Sequence, residues 1–379
     1  MRFRYSAGKD GKPVKKAAIY TRDEHGINYA DVDSEAVSIV RKLKSAGFDT
    51  YIVGGAVRDL ILGKKPKDFD IVSVATPTRI KKIFRNCRII GRRFRLVHVY
   101  FGQRIFEVST FRSLKDGRTS NTFGTMDEDV FRRDFTMNAL FYDPEQQIVV
   151  DYVGGLDDIK KRQVKPVIPI SEIFTDDPVR MIRAVKYAAA ADFTIPLNLK
   201  MKIKKQSALL SSISPSRLTE EIFKIIHSDR AGAIVDMMDK TGLYSYLQPQ
   251  AEKLMRENPR FRQSYLQSMT ALNGTEIYRG YALGALFRDY LETVRDWEPG
   301  VIENYKEIFK IARSFVVPMN PPRFEMEHAV RRFLASHGIT IKRPQPKPLH
   351  ETGPLKPDGT KRKRRRRRRK PKTTGNPPS

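Results

Sequence analysis

Apolar positions recur at helical spacing early in the chain. Val37, Val40 and Leu43 fall between Asp33-Ser34, a helix start, and Gly47, a helix stop. From residue 49 the period changes. Runs rich in β-branched and aromatic residues at 49–53, 68–74, 88–90, 95–101 and 104–110 predict strands. They are broken by a Gly54-Gly55 turn with a helix behind it and by a second helix opening at Thr76-Pro77. Beyond Gly154-Gly155 the strand signal fades and helical periodicity takes over, with breaks at Pro196, Pro215, Gly242, Pro249 and Pro299. Residues 1–30 are polar and read as a tail-like extension. Past residue 343 the chain is rich in Pro, Gly and charge, the composition of a disordered segment. No internal repeat marks a solenoid. The pattern predicts an α+β protein: an extension over 1–30, a head of mixed sheet and helices over 31–155, a helical neck over 156–230, a helical body over 231–343 and a basic tail over 344–379.

Charge narrows the partners. The 379 residues carry a net charge of +28, so a polyanion is expected. The run KRKRRRRRRK at 361–370 supplies part of that excess, and the remainder is spread along the chain. Arg364, Arg365 and Arg366 within the run are candidate RNA contacts; a localisation signal, a ribosome-adhering tail or a solubilising segment would use the same composition. The single cysteine, Cys87, can form no intramolecular disulfide, and the six histidines show no zinc-ligand spacing. A reducing cytosol fits. The N-terminus has no apolar signal stretch and no apolar run approaches the roughly 18 residues needed to span a bilayer, so a cytoplasmic protein without a membrane span is expected.

The candidate chemistry is concentrated in YIVGGAVRDLILGKKPKDFDIVSV, residues 51–74. Side chains two apart on a strand share a face, so Asp68 and Asp70 can offer hard oxygen ligands to a pair of divalent ions. A DxD alone also fits a solvated strand edge. Glu107, in the alternating run RIFEVSTFR, is the candidate third carboxylate, with a surface salt bridge as its other reading. Gly54-Gly55 joins a strand to a helix bearing Arg58, and glycine's size and free φ let backbone N–H groups approach a triphosphate. Arg58 could then neutralise phosphate charge, while its neighbour Asp59 pairs with a basic side chain. A phosphate turn beside a carboxylate dyad points to chemistry on a nucleotide.

GGAVRDLILGKKPKDFDIV resembles the head-domain signature of the class II nucleotidyltransferases, which comprise bacterial poly(A) polymerases and CCA-adding tRNA nucleotidyltransferases. RRDFTMNAL at 132–140 is similar to that family's ribose-recognition motif, DDPVRMIRAVKYAA at 176–189 to its base-recognition motif, and RLTEEIFKII at 217–226 to its neck motif. Ser216 stands where a glutamate often precedes the neck arginine. The motifs keep family order over roughly residues 50–230. The resemblance implies a polymerase-β-like head, two Mg²⁺ ions, ATP as substrate and an active-site role for Asp134.

The residues of these motifs carry chemistry of their own. Arg132 and Arg133 can meet phosphate or ribose oxygens. Asp134 and Asn138 stand at i and i+4, suited, if that stretch is helical, to holding a ribose 2′-hydroxyl; Asp134 could instead pair with the arginines beside it. Asp177 either caps a helix starting at Pro178 or pairs with Arg180 against a base edge. An Asp acceptor beside an Arg donor accepts adenine and cytosine and rejects guanine and uracil. In the neck, Arg217, Glu221 and Lys224 have the spacing of a salt-bridged helix face.

IIGRRFRLVHV at 89–99, with Arg92, Arg93 and Arg95 as candidate RNA contacts, resembles the segment associated with the poly(A) polymerases; by composition alone it is a solvated basic loop. Together with the basic tail it favours a template-independent polynucleotide adenylyltransferase that adds AMP from ATP to RNA 3′ ends, in mRNA polyadenylation and processing. RNA-decay enzymes are candidate partners. A CCA-adding enzyme is the alternative within the family, and a non-catalytic RNA-binding protein the alternative outside it. The body is silent: Met237-Met238 and Trp297 read as core.

Overall fold

The computed structural model describes residues 2–7, 13–91, 96–115, 122–272, 278–294 and 302–341. Arg92, Arg93, Arg95, Trp297 and the basic run with Arg364, Arg365 and Arg366 lie outside the described residues.

Among the described residues nine strands form one sheet. They are β1 (Arg2–Ala7), β2 (Pro13–Tyr20), β3 (Thr50–Val53), β4 (Asp70–Ser73), β5 (Cys87–Ile90), β6 (Leu96–Phe101), β7 (Arg104–Thr110), β8 (Leu140–Asp143) and β9 (Ile148–Asp151). Their spatial order is β1-β2-β9-β8-β3-β4-β7-β6-β5. Neighbours are antiparallel except β4 and β7, which run parallel. The mixed sheet expected from the apolar runs is therefore present, and the predicted strands fall within a few residues of the observed ones.

The first 30 residues depart from expectation. They are not tail-like: β1 and β2 form a hairpin, and β2 pairs with β9 through Ala18↔Asp151 and Ile19↔Val150. Lysines and arginines on the solvent side of this edge ribbon mask the strand signal, while Ala17, Ala18 and Tyr20 are buried. The helix expected between Asp33 and Gly47 spans Ser34–Ser45, with the Asp33 side chain accepting from the N–H groups of Glu35 and Ala36. Gly47, at φ +85°, takes the left-handed conformation that ends it.

Under the sheet lies a core of Tyr51, Val53, Val72, Phe111, Phe141 and Val150. The Asp151 carboxylate closes the end of β9 by accepting from the N–H groups of Val153, Gly154, Gly155 and Leu156, which starts the helix Gly155–Lys160. Gly155 packs so tightly on Thr136 that a Cβ there would stand 2.2 Å from the Thr136 carbonyl oxygen. This contact pins the loop 134–138 against the head. Helices then take over, among them Val179–Ala191 and Pro215–Ile226, followed by the helices of the body. No helix of the described residues is long and apolar enough to cross a membrane.

Candidate active site

β3 runs directly into Gly54, whose φ of +73° and ψ of −135° belong to a region that side chains disfavour, and the helix Gly55–Ile61 follows. Antiparallel pairing sets Val53 opposite Asp70, the first residue of β4. The turn and the carboxylate thus meet: a Cβ on Gly54 would lie 3.8 Å from both Asp70 Oδ2 and Arg133 Nη1. The parallel register of β4 and β7, Ile71↔Val108, brings Glu107 beside Asp70. Asp68 precedes β4 and is exposed, so its shared face with Asp70 does not rest on strand pleating, as the run 68–74 had suggested. Glycine and lysines around 63–67 delay the strand.

The Asp70 carboxyl is pushed up to about 6 by burial, then by the charges of Glu107 and Asp68, while Arg133 pulls it down. By accessible surface Asp70 is nonetheless exposed, because it borders an open cavity, so solvent there weakens the burial contribution. Glu107 is open too, its side chain 54% exposed, and its Oε1 lies 3.3 Å from Nε2 of His98. Among the described residues no three His, Cys, Asp or Glu side chains are already gathered as a metal site.

Asp70 borders a cavity of about 670 Å³, the size of a nucleotide-binding cleft. Gly54, Gly55, Arg133, Asp134 and Asn138 of the head line it, as do Asp177 and Arg180. Asp68, Glu107 and Arg58 stand outside its lining. Arg58 is turned inward: it donates to Asp59 at 2.9 Å and to Asn138 Oδ1 at 2.8 Å, and its guanidinium lies over Tyr187. Loop 134–138 is a short 3-10 turn rather than an α-helix, yet Asn138 still donates to Asp134 Oδ1 at 3.1 Å. Arg133 is held by Asp129 at 2.9 Å and by the Asn138 carbonyl.

The ion pairs around the base-recognition motif differ from the expected Asp177–Arg180 pair. Arg180 is buried and paired with Asp176 at 2.8 Å, and it also donates to the Arg132 carbonyl oxygen. Asp177 accepts from the N–H of Val179, a capping role, and from Arg217 at 2.6 Å. Of the expected neck face only the Glu221–Lys224 pair forms along the helix, since Arg217 goes to Asp177, and Glu221 instead becomes a buried centre for cations from the earlier helix Val179–Ala191. Glu221 meets Arg183 at 3.2 Å, Lys224 at 3.1 Å and Lys186 at 3.7 Å. These cations hold its carboxyl below the usual range despite burial, whereas burial brings Lys186 down to about 8.

Arg112, Arg183, Tyr187 and Arg217 also line the cavity and were not singled out for it by sequence. For Arg183 and Tyr187 a signal existed, since they follow Arg180 at i+3 and i+7 on one helix face. Arg112 follows the end of β7 and has no such spacing. The surplus of guanidinium over carboxylate in this cleft suits a polyphosphate, and the apolar and carboxylate parts suit a nucleoside.

Residues 50–165 match the family described as “Poly A polymerase head domain”, and residues 192–255 that described as “Probable RNA and SrmB- binding site of polymerase A”. Residues 50–165 thus carry the likeness to this family's head domain that the motif resemblance had implied. Among particular relatives, Poly(A) polymerase I of Salmonella typhi is 39% identical over 256 residues, 63% of this chain and 55% of that protein. The CCA-adding enzyme of Geobacillus thermodenitrificans is 36% identical over 225 residues, 58% of this chain and 55% of that protein. The chain thus spans about half the length of these curated relatives. A solved structure of the Bacillus stearothermophilus CCA-adding enzyme in complex with CTP has a TM-score of 0.56 at 27% identity, covering 80% of this chain and 82% of the other. A head with a mixed sheet followed by a helical body is common to both.

Proposed function

We propose that the chain is a template-independent adenylyltransferase in which an RNA 3′-hydroxyl attacks the α-phosphate of ATP, adding AMP and releasing pyrophosphate. The observation that carries this reading is the position of Asp70, between the Gly54 turn of an arginine-rich cleft and the Glu107 carboxylate. Gly54 gives the triphosphate access to the backbone, and Arg133, backed by Asp129, neutralises it without having to reorganise. Asp134 and Asn138 suit the ribose hydroxyls, and Asp177, with Arg180 behind it, suits the base edge.

The carboxylates fit divalent cations. Burial and then crowding by Glu107 and Asp68 raise the Asp70 carboxyl, and bound cations relieve that repulsion. Two Mg²⁺ ions held by Asp68, Asp70 and Glu107 would supply activation of the attacking hydroxyl and charge neutralisation of the leaving pyrophosphate. Adenylyl transfer is favoured over CCA addition by the likeness of residues 89–99 to the poly(A) polymerase segment and by the longer, slightly more identical match to Poly(A) polymerase I. Work on RNA ends in the cytoplasm follows from the same reading.

The test is incubation of the protein and Mg²⁺ with ATP alone or CTP alone, on a generic RNA and on a tRNA lacking its terminal CCA. Long A tails on the generic RNA are expected, with none after chelation by EDTA. A three-nucleotide extension of the tRNA that depends on CTP would establish the CCA-adding reading instead. Binding without incorporation would leave a non-catalytic RNA-binding protein.

A further inference from the structure

β5, β6 and β7 bury one face and open the other. Val97, Val99, Phe106 and Val108 point into the core, whereas the alternating positions include exposed Arg88 and Ile105 and half-buried His98 and Tyr100. Ile105 is 52% exposed. Strand register aligns this open face into a row: Arg88 pairs with His98, His98 with Glu107, and Glu107 stands beside Asp70. Tyr100, opposite Ile105, sets its ring edge-on to His98 at 6.3 Å between centroids. The row therefore runs from a guanidinium, past the His98 ring with Tyr100 beside it, to the carboxylates.

We propose that this face is the bed for the 3′-terminal nucleotides of a single-stranded RNA acceptor, its bases on Tyr100 and His98 and a phosphate on Arg88. The inference rests on the reading that the chain extends RNA ends, and adds where the acceptor lies. Three observations select this occupant. Rings with an exposed aliphatic neighbour and a cation make a stacking platform for unpaired bases. The face is continuous with Asp70, where the acceptor hydroxyl is needed, and is distinct from the cleft suited to the nucleotide. Its polarity also gives the strand a direction. The carboxylate end repels phosphate and takes the uncharged hydroxyl terminus, while Arg88 takes the phosphate at the other end.

The experiment uses the full chain with Mg²⁺, ATP and a short oligoadenylate, comparing wild type with Arg88→Ala, Ile105→Glu and Ile105→Lys. Both positions are exposed, and an unchanged melting temperature verifies folding. Arg88→Ala and Ile105→Glu are expected to raise KM for the RNA about tenfold while KM for ATP stays within twofold, and Ile105→Lys to lower KM for the RNA. Arg88→Ala also flattens the slope of log affinity against log salt by about 0.7, one single-strand phosphate contact. Wild-type KM for the RNA in all three variants would overturn the proposal and leave the activity standing. Should the wild type extend no RNA, the activity reading falls, and fluorescence anisotropy with the same oligoadenylate decides the docking face: weaker binding by Ile105→Glu and Arg88→Ala supports it, and unaltered binding overturns it.

Discussion

Arg217 donates to the Asp177 carboxylate at 2.6 Å, joining the neck helix Pro215–Ile226 to the residue that precedes Pro178. An Asp held in this way offers its remaining lone pairs in a fixed direction, which is what reading an amino group on a base edge requires.

Asp177→Asn is expected to reduce adenylyl transfer by tenfold or more and to narrow the preference for ATP over GTP, because a donor replaces half of the acceptor. Arg217→Ala should show the same loss of selectivity in milder form. Stability should change by less than about 1 kcal/mol in the latter, since Arg217 is 45% exposed. Competition between ATP and GTP for incorporation, together with a thermal melt, measures both.

Asp70→Asn should yield an inactive protein that is more stable than wild type in the absence of metal. The folded-state carboxyl titrates near 6 against a model value of 3.8, so its charge opposes folding above pH 6. That penalty is relieved as pH falls from 6 toward 3.8. Allowing for solvent at the cleft mouth, the gain is about 1 kcal/mol at pH 8 and vanishes near pH 4. Urea denaturation in EDTA at the two pH values tests the sign, and a larger gain at pH 4 would contradict it.

Glu221→Ala removes the shared counter-ion of Arg183, Lys186 and Lys224. An uncompensated buried cation costs about 3–5 kcal/mol, so a marked loss of stability at pH 7 is expected, with Glu221→Gln falling between the two. In wild type this contribution is present above the ordinary carboxylate range and is lost as pH falls through the depressed Glu221 value. The difference between wild type and variant should therefore shrink in acid. Chemical denaturation across pH 3–7 reads it.

Gly155→Ala should disturb the site from a distance. A methyl group cannot occupy a point 2.2 Å from the Thr136 carbonyl, so the helix Gly155–Lys160 or the loop 134–138 must shift. A loss of about 2 kcal/mol or more is expected, with a rise in KM for ATP in whatever fraction folds. Gly154→Ala, whose site has open space but a φ of +79°, should cost less and leave KM for ATP unchanged.

Much of the head could be read directly from its sequence because short-range signals agree there: strand alternation, the Asp33 cap, the Gly47 stop and the Gly54 turn. The N-terminal hairpin could not, since an edge ribbon with basic residues on its open side has little apolar alternation. At the site, the sequence pointed to residues that the fold brings to one cleft, such as Gly54, Asp70 and Arg133, but not to their ion-pair partners. Asp177 and Arg180 are near in sequence, yet each finds its ion-pair partner elsewhere, in Arg217 and Asp176. Such choices depend on how the neck helix packs, a long-range outcome that spacing within one motif does not encode. Arg58 shows the same limit, directed by Asn138 and Tyr187 rather than by its place behind the glycine turn.

The parallel pairing of β4 with β7 has a bearing on how such a protein can change. Parallel strands cannot be joined by a tight turn, so the chain must make an excursion between Asp70 and Glu107, and the β5–β6 ribbon is part of it. Because register alone keeps the two carboxylates adjacent, that excursion can lengthen, shorten or change its surface without moving them. The surface beside the carboxylates can therefore be exchanged over evolutionary time, or by design, while the carboxylate pair stays the same.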